Sequence, residues 1–179
     1  CLYGHELTEA ISPVEADLAV GIDERYFEDY APGMVTNYGP IEVDAAEIID
    51  FARRYDPQEF HVDPARAADG PFRGLVASGW HTASMMMRVL VDRYLSRVAS
   101  LGSPGVDELR WLAPVRPGDR LWVHITVLEA RRSRSKPDRG MLRYLIEVCS
   151  ERGDILMTVK AMTLMLCRNA AVQATGASK

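Results

Sequence analysis

Lysine is nearly absent from this chain of 179 residues: Lys136, Lys160 and Lys179 are the only ones, and arginine supplies the rest of its 21 basic side chains. These 21 are outnumbered by 25 acidic residues, which leaves a formal net charge of -4. Proteins that bind nucleic acid or membrane surfaces through charge generally carry a positive excess. The sequence therefore predicts neither a nucleic-acid partner nor a membrane partner.

Cysteine is equally scarce, with Cys1, Cys149 and Cys167 as the full set. The number is odd, and the chain has no CxxC pair or Cys/His cluster at metal-ligand spacing. Cys149 and Cys167 stand in alternating apolar runs, which predicts buried thiols. Walker, Rossmann, zinc and nucleophile-elbow motifs are also missing. We therefore expect no metal and no cofactor.

Long hydrophobic runs are missing as well. The longest, Met85 to Val91, is interrupted by Arg88 and is too short to span a bilayer. The N-terminal residues do not show a basic segment followed by an apolar stretch, so we expect no signal peptide. Together with the reduced cysteines, these features favour a cytoplasmic location.

The composition is that of an ordinary globular protein, with 47% hydrophobic and 26% charged residues. Residues 1–23 show no clear periodicity and are predicted to form an N-terminal extension. Residues 169–179 are rich in Ala, Gly, Ser and Thr, which is typical of a flexible tail. One domain is expected between them, over residues 24–168.

The first half of this domain predicts a strand over Met34–Val43 and then a helix. Asp44 can cap that helix, and Glu47 stands where a capping box needs it. Pro57 should end the helix and force Asp56 out of the helical conformation. The pair Asp63 and Pro64, a cap followed by a first-turn proline, predicts a further short helix.

The second half predicts a long helix that begins after Ser78 and ends near Ser100. It is apolar almost all round, which is typical of a helix in the core. Four strand-like runs follow: Glu108–Pro114, Leu121–Arg131, Leu142–Cys149 and Ile155–Cys167. An antiparallel sheet with helices on one side defines the α+β class.

Asp56 and His61 form the first candidate site. The carboxylate stands where an amphipathic helix breaks, and the imidazole follows five positions later in a predicted loop. Such a pair can hold a water molecule, with histidine as the general base and the carboxylate orienting the water. The alternative is an ordinary helix-end aspartate and a surface histidine, because histidines in loops are common.

Gly79 is the second candidate, at the start of the long helix. The N–H groups of a first helical turn have no partner inside the helix, and the helix dipole is positive there. Such an N–H can stabilise a carbonyl oxygen that gains negative charge. His81 lies close enough in sequence to line the same site. The alternative is that packing at the helix start needs a small residue. We expect Gly79→Pro, which removes the N–H, to slow turnover at little cost in stability. Gly79→Ala keeps the N–H and should be milder than proline, unless Gly79 has a positive φ.

These segments together resemble the MaoC-like dehydratase family over about Tyr26 to Arg168. Asp56 and His61 match its two catalytic positions at the family spacing, and Gly79 matches the glycine whose N–H faces a thioester carbonyl. The run Pro114-Val115-Arg116-Pro117-Gly118-Asp119 matches a turn that is common in these domains. The resemblance implies a single hotdog domain, in which an antiparallel sheet wraps around a long central helix.

Two departures from the family pattern stand out. Gln58-Glu59 occupy places where the family often has Asn-Pro. Met87 stands near a serine that some hydratases carry on the central helix, and Ser84, one turn earlier, is a candidate substitute. Ser78, Trp80 and Ser84 are the residues that we expect to contact the substrate.

The resemblance implies reversible addition of water across the 2,3 double bond of an enoyl-CoA, with R-specific products. It also implies a homodimer or a higher even oligomer. Two alternatives stay open: a hotdog acyl-CoA thioesterase, and a hotdog subunit that binds acyl-thioesters without turnover.

Overall fold

A computed structural model describes residues 17–169 of the chain. The first 16 residues of the predicted N-terminal extension, and all but one residue of the predicted C-terminal tail, lie outside this range. Residues 17–23 of the extension contact the domain: the Arg97 N–H, for example, donates to the Ile22 carbonyl at 2.9 Å.

Five antiparallel strands form one sheet in the order β1-β3-β4-β5-β2. Their bounds are β1 Val35–Glu42, β2 Val106–Trp111, β3 Arg120–Arg132, β4 Arg139–Ser150 and β5 Ile155–Leu166. Burial alternates along β3, β4 and β5, because successive side chains point to opposite faces of a sheet. One face therefore covers the core, and every strand predicted from the sequence is confirmed within a few residues.

Four helices lie on that face: α1 Ala45–Tyr55, α2 Glu59–Val62, α3 Pro64–Asp69 and α4 Gly79–Val89. The predicted caps of three of them are confirmed. The Asp44 carboxylate accepts from the N–H groups of Ala46 and Glu47, and Asp63 caps α3 in the same way. Ser78 caps α4 by accepting from the Trp80 N–H at 3.3 Å. The α+β class and the single hotdog domain are confirmed.

Helix α4 is the central helix, with Met85 and Met86 buried in the core. It is shorter than predicted: it ends at Val89, a π-helical turn covers Leu90–Tyr94, and Leu95 is extended. Distant residues explain this end. The buried Arg25 guanidinium donates to the Tyr94 carbonyl at 2.9 Å, and the Tyr30 hydroxyl donates to the same oxygen at 2.9 Å.

Two further expectations about this region were wrong. The central helical segment is not buried all round, since Trp80 and Met87 on α4 are 60% and 43% exposed, and Val91 in the π-helical turn is 47% exposed. His61 does not lie in a loop but in the single turn of α2, where it is buried. Among residues 17–169, no helix combines the length and the apolar character needed to cross a membrane.

Candidate active site

Asp56 is the residue at which α1 stops. Its N–H still donates to the Ala52 carbonyl at 2.8 Å, but its backbone leaves the helical region, with φ -152° and ψ 66°. Pro57 accounts for this, because its ring disfavours the helical conformation of the preceding residue. The Asp56 side chain is thereby turned away from the α1 axis and is 22% exposed.

The His61 ring reaches the same point from α2. Its Nδ1 lies 2.7 Å from the Val76 carbonyl oxygen. A carbonyl can only accept, so Nδ1 carries the proton, and Nε2 of the neutral ring presents a lone pair. Nε2 lies 3.5 Å from Oδ2 of Asp56. The main chain therefore selects the tautomer that aims a proton acceptor at the carboxylate.

Two donors hold the Asp56 carboxylate. The Ser78 hydroxyl donates to Oδ2 at 2.7 Å, and the Gln58 amide donates to Oδ1 at 2.8 Å. Burial by itself would raise the pKa of Asp56, but the hydrogen bonds from Ser78 and Gln58, with the nearby His61, outweigh it and lower the pKa below its ordinary value. Asp56 is therefore an anion at neutral pH.

This geometry places two acceptors opposite each other. Oδ2 of the Asp56 anion lies 3.5 Å from Nε2 of His61, and when the ring is in its neutral Nδ1–H form the two atoms have no proton between them. A water molecule has two protons, so it can donate to both groups at once. Its oxygen lone pairs then point away from the pair, which is the orientation that a nucleophile needs.

Gly79 opens α4 beside this pair, with its N–H among those that a helix leaves without an internal partner. The Trp111 indole lies against its α-carbon. A Cβ on residue 79 would come within 2.7 Å of the indole Cδ2, so an alanine there requires the indole to shift. Packing therefore favours glycine at this position, independently of any role of its N–H in catalysis.

The pair opens into a cleft of about 420 Å³, within the size range of small-molecule sites. Aromatic and aliphatic side chains form most of its wall. They include Phe60, Phe72, Trp80, Trp111, Leu112 and Val115. An apolar wall with a few convergent polar groups suits a ligand that has an apolar body and one reactive polar group.

The structure brings five of the predicted site residues together in this cleft: Asp56, His61, Ser78, Gly79 and Trp80. It places Ser84 elsewhere. The Ser84 hydroxyl donates to the Trp80 carbonyl at 2.8 Å within α4, and its side chain lines a separate cavity.

His81 lines that separate cavity as well and stacks on Phe51, with ring centroids 4.9 Å apart. Burial lowers the pKa of His81, and the nearby Glu47 offsets this only in part. The separate cavity is not lined by Asp56 or by the His61 imidazole.

Within residues 17–169, no group of three His, Cys, Asp or Glu side chains is placed to hold a metal ion. His124 lies on β3, where burial lowers its pKa. The prediction of buried thiols is confirmed for Cys149 and Cys167. Burial, with Glu147 and Asp154 nearby, raises the pKa of the Cys149 thiol to about 12, so it stays protonated.

Sequence reasoning missed three parts of this site. Gln58 entered only as a departure from the family pattern, although its amide binds Asp56. The Val76 carbonyl sets the His61 tautomer from 15 residues away. Trp111 covers Gly79 from β2. A carboxamide two residues after the aspartate was a usable signal; the other two contacts have no local signature.

The fold and this cleft together define a class of protein: a hotdog domain with a carboxylate and an imidazole at the start of its central helix. The family model described as MaoC like domain matches residues 29–147. The chain belongs to the MaoC-like dehydratase family.

Three relatives illustrate the match. The crystal structure of the MaoC-like dehydratase from Rhodospirillum rubrum has a TM-score of 0.75 and 39% sequence identity, and the match covers 80% of this chain and 98% of that one. The protein YdeM of Bacillus subtilis is 25% identical over 125 residues, which is 70% of this chain and 87% of YdeM. The 3-hydroxybutyryl-CoA dehydratase of Methylorubrum extorquens is 30% identical over 142 residues, covering 76% and 82%.

Proposed function

We propose that this protein is a hydro-lyase that adds water reversibly across the 2,3 double bond of an enoyl-CoA. One observation carries the proposal. Asp56 and His61 present two proton acceptors 3.5 Å apart in an apolar cleft, next to a helix-terminal N–H at Gly79. Those three groups are what the activation of water and the stabilisation of a thioester oxygen require. The 3-hydroxybutyryl-CoA dehydratase relative supports the substrate class.

In the hydration direction, water held between Asp56 and His61 attacks C3. Its proton passes to His61 Nε2 as the new C–O bond forms. The electrons of the double bond move through C2 to the thioester oxygen, where the Gly79 N–H stabilises the enolate. His61 then returns the proton to C2, which leaves a 3-hydroxyacyl thioester and the starting enzyme. Dehydration follows the same steps in reverse.

Asp56 acts in this scheme as a fixed anion and His61 as the proton carrier. The lowered pKa of Asp56 supports that division, because a carboxylate that holds its proton weakly is a poor acid at neutral pH. The Nδ1–H bond to the Val76 carbonyl stabilises the imidazolium that forms after the attack. The R configuration of the 3-hydroxyacyl product is proposed from the resemblance to the MaoC-like dehydratases.

The direct test is a panel of trans-2-enoyl-CoA thioesters, followed by the loss of absorbance of the conjugated double bond. We expect hydration by the wild-type protein and R-3-hydroxyacyl-CoA on chiral analysis. Asp56→Asn and His61→Gln should each slow turnover by about a hundredfold to ten-thousandfold. His124→Gln is the matched control, since this half-buried histidine lies on β3, away from the cleft. A purely S product, or full activity in both variants, would overturn the proposal.

The thioesterase and the non-catalytic subunit are separated in the same assay. A thioesterase releases free thiol from saturated acyl-CoA, whereas a hydratase leaves that substrate intact. A non-catalytic subunit binds the acyl-thioester but neither hydrates its double bond nor releases free thiol. Release of thiol with no change in the double bond would reassign the cleft to hydrolysis.

A further inference from the structure

We propose that Ser78 is a positioning residue, whose hydroxyl fixes the Asp56 carboxylate with Oδ2 turned toward His61 so that the two groups share one water. This inference rests on the proposed hydratase function and assigns a different role from substrate contact. Ser78 has no exposed surface and donates to Oδ2 at 2.7 Å.

The Ser78 hydroxyl has a single proton, which it donates to Oδ2 of Asp56 at 2.7 Å. Its own oxygen, Oγ, accepts from the Trp80 N–H at 3.3 Å. The N–H cannot accept, so the hydroxyl proton has no acceptor on that side. A change of χ1 that carried Oγ away from Asp56 would also remove the cap from helix α4.

The two oxygens of the Asp56 carboxylate are bound by different donors. A free aspartate side chain can exchange Oδ1 and Oδ2 by rotation. Here Gln58 holds Oδ1 and Ser78 holds Oδ2, and it is Oδ2 that lies 3.5 Å from His61 Nε2. Ser78 and His61 thus meet at one oxygen, which leaves a defined lone pair of Oδ2 for the water.

The two donors to the Asp56 carboxylate differ in burial and in the element that carries them. Gln58 is exposed, whereas Ser78 is buried and belongs to the helix that also supplies the Gly79 N–H. One rigid element therefore positions the carboxylate and the proposed oxyanion donor together. Among the described residues, His61 is the one titratable group within ion-pair distance of Asp56.

The test compares Ser78→Ala with Ser78→Thr, which keeps a hydroxyl, and with Ser96→Ala as the matched control. Ser96 is also a buried serine that accepts from backbone N–H groups, those of Val98 and Ala99, but it has no carboxylate beside it. The readouts are kcat, the thermal midpoint, and a carbon-13 NMR titration of the Asp56 carboxyl.

We expect Ser78→Ala to move the NMR midpoint of the Asp56 carboxyl to higher pH, because the loss of a donor to the carboxylate favours its protonated form. The maximal rate should fall by about tenfold to a hundredfold, as for a misplaced catalytic group. Ser78→Thr should restore both the midpoint and the rate. Ser96→Ala should lower the thermal midpoint alone.

An Asp56 titration that is unchanged in Ser78→Ala would overturn the inference, whatever the thermal midpoint of the variant. If this variant does not fold, Ser78→Gly replaces it, because glycine is tolerated at a helix N-cap. The NMR titration needs no turnover. An inactive wild-type protein would therefore end the hydratase proposal and leave the Ser78 bond still testable.

Discussion

Gly79 and Trp111 are in close contact at the cleft. The indole of Trp111 occupies the space where a side chain on residue 79 would start. The Trp80 ring packs edge-on against the same indole, with centroids 5.2 Å apart, so a shift of the indole would also disturb this contact. Substitutions at Gly79 therefore test packing as well as chemistry unless Trp111 is changed too.

We predict that Gly79→Ala destabilises the protein by about 1–3 kcal/mol, the usual cost of overfilling a packed site. Trp111→Ala should relieve most of that cost in the double variant. Denaturant unfolding of the wild type, the two single variants and the double variant gives the coupling free energy between the two positions. For residues in contact, this energy is about 0.5–3 kcal/mol. Strictly additive effects would show that the indole moves aside freely.

The role of the Gly79 N–H can then be measured in the Trp111→Ala background. Gly79→Ala and Gly79→Pro both add a Cβ there, but only proline removes the N–H, and proline is tolerated at the first position of a helix. Proline should be slower than alanine by about a hundredfold to a thousandfold, the usual effect of one lost oxyanion donor. Equal rates would remove Gly79 from the proposed mechanism.

The sequence predicted which polar residues matter better than it predicted how they are connected. Asp56 and His61 share a short segment, and Pro57 explains why the aspartate turns out of its helix. The bond from Ser78 to Asp56 crosses 22 positions, and the Val76 carbonyl reaches His61 across 15. No local pattern encodes such contacts, because they depend on how α4 and the preceding segment pack against α2.

Among the elements, helix starts were predictable and the end of the central helix was not. Asp44, Asp63 and Ser78 cap their own helices through side chains within two or three positions of the groups that they bind. The π-helical turn that continues α4 ends instead where Arg25 and Tyr30, which stand more than 60 residues earlier, donate to the Tyr94 carbonyl. A helix end that is set by tertiary contacts leaves no local sequence signal.

We predict that this distant cap stabilises the whole domain. Arg25 is fully buried and makes charge-assisted hydrogen bonds to the last carbonyls of the helical segment, so Arg25→Met should cost about 3 kcal/mol or more. Tyr30→Phe deletes only the hydroxyl and should cost about 1 kcal/mol.

Urea unfolding measures both changes, and Arg97→Gln is the control. Arg97 forms an exposed ion pair with Asp23, whose removal should change the free energy of unfolding by less than about 1 kcal/mol. An Arg25→Met protein as stable as the control would mean that the end of the central helix is held by its packing alone.

At the scale of the whole molecule, the apolar surface of α4 explains why its sequence predicted complete burial. Trp80, Ser84, Met87 and Val91 fall on one stripe at helical spacing, and all four are exposed. Trp80 continues this stripe onto Trp111 and Leu112 at the end of β2, which are 44% and 56% exposed. We call these five apolar residues and Ser84 the exposed stripe.

Strand β2 is also an edge of the sheet, and in the part of the chain that the structure describes no strand pairs with its outer side. Open edges and contiguous apolar surface both favour association with another chain. The composition of α4 is then consistent with burial on both sides: the core covers the inner face, and a second copy covers the exposed stripe. The cleft borders this surface through Trp80, Trp111 and Leu112.

We therefore predict a homodimer, or a higher even oligomer, that forms through the exposed stripe. Met87→Lys places a charge on the stripe without touching the residues that line the cleft, and it should weaken the dimer by at least tenfold in its dissociation constant, which corresponds to about 1.4 kcal/mol. Leu128→Lys is the matched control, because Leu128 is a similarly exposed apolar residue on β3. Sedimentation velocity over a concentration series measures the dissociation constants of both variants.

Because the stripe borders the cleft, hydration by Met87→Lys should fall as the protein is diluted into monomer, whereas Leu128→Lys should follow the wild type. A wild-type protein that sediments as a fully active monomer would show that the stripe faces water.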